Sequence, residues 1–69
     1  MSKKAAEHHI KAAEHHEHAA KHHREAARLH EAGDHKEAAH HAHLARGHSH
    51  RAARQEDEAA ELYIIQTVV

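Results

Sequence analysis

The chain has no cysteine, no proline, no tryptophan and no phenylalanine, and it carries one tyrosine and two glycines in 69 residues. Without cysteine there is no disulfide scaffold, thiolate zinc site, iron–sulfur cluster or cysteine nucleophile. Without proline nothing interrupts a helix by removing an amide. Large apolar side chains are also scarce. Of 27 hydrophobic residues 17 are alanine, each able to bury only a methyl group. The larger ones are Met1, Ile10, Leu29, Leu44, Leu62, Tyr63, Ile64, Ile65, Val68 and Val69, six of them in the last eight residues. A conventional one-chain core is therefore not expected. No run approaches the ~20 apolar residues that cross a bilayer, so no membrane partner is expected. Lysine plus arginine (10) is balanced by aspartate plus glutamate (11), so no electrostatic nucleic-acid binder is expected either. Residues 1–4 lead into Ala, Glu and His without an apolar stretch. A cytoplasmic location follows if Met1 is the native start, and a periplasmic one if a signal peptide has been removed.

What is abundant is histidine, at 14 residues. Protonating all of them would carry the formal charge from −1 to +13, because imidazole titrates near neutral pH.

The histidines sit in a repeat. Ala-Ala pairs fall at 5-6, 12-13, 19-20 and 26-27, and again at 38-39, 52-53 and 59-60, with Ala45 in the vacant slot. A period of seven marks one face of a helix. With Ala5 as heptad position a, helix 1 has alanine at every a and b. It has His8, His15, His22 and Leu29 at d, and His9, His16, His23 and His30 at e. In the second half, a is Ala38, Ala45, Ala52 and Ala59, and d is His41, His48, Gln55 and Leu62.

Between the two halves, Gly33 suits a left-handed helix stop and Asp34 an N-cap, with Glu37 completing a capping-box pattern. The reading is all-α: one domain with helices at about 3–32 and 35–63, a turn at 33–34 and an apolar tail at 64–69. The short link predicts an antiparallel hairpin. A turn there pairs residues whose numbers sum to about 67, which sets each alanine at a opposite a larger d residue and Lys11 near Glu56. So thin a seam calls for metal or a second chain, and two hairpins are expected to pair into a four-helix bundle as a homodimer or higher homo-oligomer.

Imidazole binds the borderline ions Cu(II), Ni(II) and Zn(II). His15, His18 and His22 lie at i, i+3 and i+7 on one helical face. His41 and His48 approach them across the seam, and His40 and His43 form a further i, i+3 pair. These seven are the candidate ligands, with His15, His18 and His22 expected to load first. The competing reading is a structural or pH-responsive self-assembly module with no specific metal site. No catalysis is expected. The zincin pattern His-Glu-x-x-His is absent, and only Glu37-x-x-His40 matches a di-iron motif.

Over about residues 5–60 the Ala/His heptads resemble the bacterial small metal-binding protein family. The stretch Ala32-Gly33-Asp34-His35-Lys36-Glu37-Ala38-Ala39-His40-His41-Ala42-His43-Leu44-Ala45 is similar to uncharacterised bacterial Ala/His-rich proteins. The resemblance implies a periplasmic helical protein that buffers or scavenges divalent ions, copper foremost. This chain has room for only two helices.

Overall fold

The computed structural model describes residues 3–67. They form two α-helices, α1 over Lys3–Glu31 and α2 over His35–Thr67, folded back on each other as an antiparallel hairpin. The hairpin is 55 × 15 × 11 Å, and α2 alone, 33 residues at 1.5 Å each, accounts for about 50 Å of that length. Alanine, lysine, arginine and glutamate are strong helix formers, and no proline competes.

The helix stop at Gly33 follows from backbone hydrogen bonding. Gly33 has φ +86°, which a side chain would oppose. Its amide donates to the His30 carbonyl at 3.1 Å, and the Asp34 amide donates to the Leu29 carbonyl at 2.9 Å. This pair of bonds is the Schellman closure. The Asp34 carboxylate then accepts from the Glu37 amide at 3.2 Å and caps α2. Only that half of the expected capping box forms, because the Asp34 amide is already committed to Leu29.

Burial follows the heptad. Among the described residues the buried set is Ala12, Ala19, Ala26, Leu29, Ala38, Ala45, Ala52 and Ala59, with Ala38, Ala45 and Ala52 fully enclosed. All but Leu29 are at position a. The d residues are half-buried in both helices, apart from buried Leu29. The e histidines of α1 are exposed.

The seam keeps the expected register near a sum of 67. Leu29 packs with Ala38, and His48 lies against His15, His18 and His22, which bracket Ala19. Hydrogen bonds across the seam join His8 to Gln55, His15 to His48 and His22 to His41, so each of these d residues also reaches a d residue beside the alanine it faces. Pairing polar with polar satisfies ring nitrogens that an alanine methyl would leave without partners. Alanine at position a lets the helices approach closely. One sequence expectation is corrected, the C-terminal tail. Residues 64–67 continue α2, and the Thr67 hydroxyl donates to the Tyr63 carbonyl at 2.8 Å. β-Branched residues cost a helix only a few tenths of a kcal/mol each, too little to stop one already propagating. Val68 and Val69 lie outside the described residues.

Candidate metal centre

The seam positions its histidines from both sides. In α1, His15, His18 and His22 follow one another along the face turned to α2; in α2, His41 and His48 sit one heptad apart. His48 is the hub. Its ring lies 4.9 Å from that of His18, 5.4 Å from His15 and 5.7 Å from His22, centroid to centroid. His22 also stacks on His41 at 5.2 Å, and His40 meets the edge of His41 at 5.5 Å. Six of the seven candidate ligands thus form one continuous run of rings: His15, His18, His22, His40, His41 and His48. His43 stands apart. It joins no ring contact among the described residues and lines a surface hollow with Leu44, Gly47, His48 and His50.

Two contacts bring ring nitrogens together within the seam. Nδ1 of His22 is 3.0 Å from Nδ1 of His41, and Nδ1 of His15 is 3.2 Å from Nδ1 of His48. In each pair one ring donates through Nδ1–H and the other accepts through a bare Nδ1. Among the described residues no group of three or more His, Asp or Glu side chains stands ready as metal ligands. The expected three- or four-ligand set is therefore not preformed. The ring nitrogens meet instead in pairs across the seam.

The electrostatics favour neutral rings. Burial, then the neighbouring His41 and His18, holds His22 below the ordinary imidazole value of 6.5. Burial, then His18, His15 and His22, does the same to His48. Bringing a charge into a half-buried row of rings that can themselves be charged is unfavourable. Nearby, Arg28 hydrogen-bonds Glu25 and lowers the carboxylate's proton affinity, keeping it ionised beside His41.

One polar contact between the helices departs from the sequence expectation. Glu56 engages Nε2 of His16 at 3.3 Å, where the register had placed Lys11. Lys11 is a g residue and Glu56 an e residue. In an antiparallel pair e flanks e and g flanks g, so His16 at e is the partner on the correct side. The sequence reading also missed His30 and His35, whose Nδ1 atoms are 2.7 Å apart across the turn. Their positions on either side of Gly33-Asp34 were the available signal.

Comparison with known protein families, curated proteins and solved structures gives no match to this chain. Among the described residues, no helix is long and apolar enough to cross a membrane.

Proposed function

We propose that this chain is a non-catalytic binder of divalent transition metals, Cu(II), Ni(II) or Zn(II), that buffers or scavenges them through the seam histidines. The observation that supports this reading most is the pair of Nδ1–Nδ1 separations, 3.0 and 3.2 Å. Two nitrogens bound to one tetrahedral ion at 2.0–2.1 Å lie about 3.3–3.4 Å apart, so each pair opens by a few tenths of an ångström to take a metal. His18 and His48, already in contact, supply further donors by ring rotation. The depressed proton affinity of His22 and His48 supports the same reading, because a metal must compete with protons for imidazole.

A shared ion would tie α1 to α2 and supplement a core that is almost all alanine. The thin core also supports self-association. Ile10, Tyr63, Ile64 and Ile65 are each more than half exposed, and pairing two hairpins into a four-helix bundle would cover apolar surface of this kind.

The test is replacement of His15, His18 and His22 together by glutamine, which keeps helix propensity and polarity. Affinity for the tightest Cu(II), Ni(II) or Zn(II) ion is expected to fall at least tenfold, and metal-induced stabilisation to shrink. An unchanged affinity, with loss in a His40, His43 and His50 variant instead, would move the site to α2.

The second reading, a pH-gated assembly module, draws on the same two depressed histidines. It predicts that chelator leaves stability and oligomer size untouched while both change steeply between about pH 7 and 5.

A further inference from the structure

His30 is the penultimate residue of α1 and His35 the first residue of α2. Neither belongs to the seam run. Their rings lie 5.0 Å apart at 36°, fully at the surface, with Nδ1 facing Nδ1 at 2.7 Å. The backbone beneath them is fixed without help from either ring. Gly33 and Asp34 donate back to His30 and Leu29, and the Asp34 carboxylate holds the Glu37 amide. The pair is thus presented by a turn whose own backbone hydrogen bonds hold it in place.

From this juxtaposition we infer that His30 and His35 form a second metal site, a two-imidazole chelate for a tetragonal ion such as Cu(II) or Ni(II). Two cis nitrogens of a square-planar ion bound at about 2.0 Å are separated by about 2.8–2.9 Å, close to the spacing already present. A tetrahedral ion needs about 3.3–3.4 Å and must spread the pair further, so Zn(II) binds less tightly here. The donor ring shifts its proton from Nδ1 to Nε2, both Nδ1 lone pairs then bind the ion, and no proton is released. Water fills the remaining positions. Because both rings are exposed, the ion enters without opening the hairpin. This site shares the ligand class proposed for the seam but uses none of its residues, so either can fail alone.

The experiment uses the ¹⁵N-labelled full chain carrying H15Q, H18Q and H22Q, titrated with substoichiometric Cu(II). Paramagnetic broadening is expected to centre on amides of residues 28–37. Adding His30→Gln should abolish that focus and weaken Cu(II) binding at the turn at least tenfold. His35→Gln, on the other helix, should do the same, a coincidence that a folding defect in one variant does not produce. Broadening that never centres on the turn, or that persists there in both glutamine variants, overturns the inference. If the triple variant binds its tightest ion as the parent does but still broadens at the turn, the seam reading has failed and this one stands.

Discussion

His8, His15 and His22 point into the seam of the hairpin; His9, His16 and His23, each one residue later, point to water. The inner three are half-buried, and each hydrogen-bonds across to Gln55, His48 or His41. In the outer column, His16 meets Glu56 at the surface. A rotation of about 100° around one helix separates a ring that shares its nitrogen with another ring from one that remains solvated. The comparison shows that histidine content by itself says little here. What matters is which histidines lie next to the alanine at position a, because that small residue lets the second helix come close enough for rings to meet.

The comparison can be broken most severely by pushing the helices apart. Ala45 is fully enclosed in the seam. Ala45→Leu should overpack it and separate His41 and His48 from their partners, at about 3 kcal/mol or more. A change of that size lowers the melting temperature by more than about 10 °C in so small a chain. Ala53→Leu, on the exposed face one residue from Ala52, should leave the melting curve nearly unchanged. Thermal circular dichroism on the two variants decides it; equal effects would mean that the seam does not hold the hairpin.

The next lever is pH. In the unfolded chain, His22 and His48 take up protons near the ordinary value of 6.5, whereas in the hairpin they do so only at lower pH. Below pH 6.5 the unfolded state therefore binds more protons, and stability falls with pH; above 6.5 the contribution is complete. The metal-free melting temperature is expected to hold from pH 8 to 7 and decline from about 6.5 downward. In a His22→Gln, His48→Gln variant that decline should be shallower. A profile rising toward acid would contradict the neutral-ring seam.

The two glycines offer a smaller contrast. Gly33→Ala forces a side chain into φ +86° and should cost about 1–2 kcal/mol. Gly47→Ala places its methyl inside a regular helix, more than 4 Å from any atom beyond its chain neighbours and its own helix backbone, and should stabilise by about 0.5–1 kcal/mol. Urea unfolding of the two variants should shift in opposite directions.

Much of this architecture was legible from the residues. Ala5-Ala6 and its six-fold recurrence defined the buried face, and Gly33-Asp34 located the turn to within one residue of the observed helix ends. The convergence of His15, His18 and His22 with His41 and His48 followed from placing both d columns on facing helices. So did the register, in which Leu29 meets Ala38 and His48 sits among His15, His18 and His22. Which rings hydrogen-bond within it did not, because that choice is a tertiary property of the packed rings. Lys11 was matched to Glu56 by distance along the helix alone, without regard to the side of the seam that g and e occupy. The end of α2 was placed at residue 63 because Ile64 and Ile65 suit strands. Helix propagation from the preceding alanines overrides so small a preference.

The central claim, that the inner column is where metal binds, is tested most directly by imidazole ¹⁵N NMR of the parent chain at pH 7.5 during titration with Zn(II). The account predicts that ring nitrogens of His15, His22, His41 and His48 shift at substoichiometric metal, with His18 following, while those of His9, His16 and His23 hold their metal-free positions. Simultaneous shifts in both columns, or shifts beginning in the outer one, would contradict it.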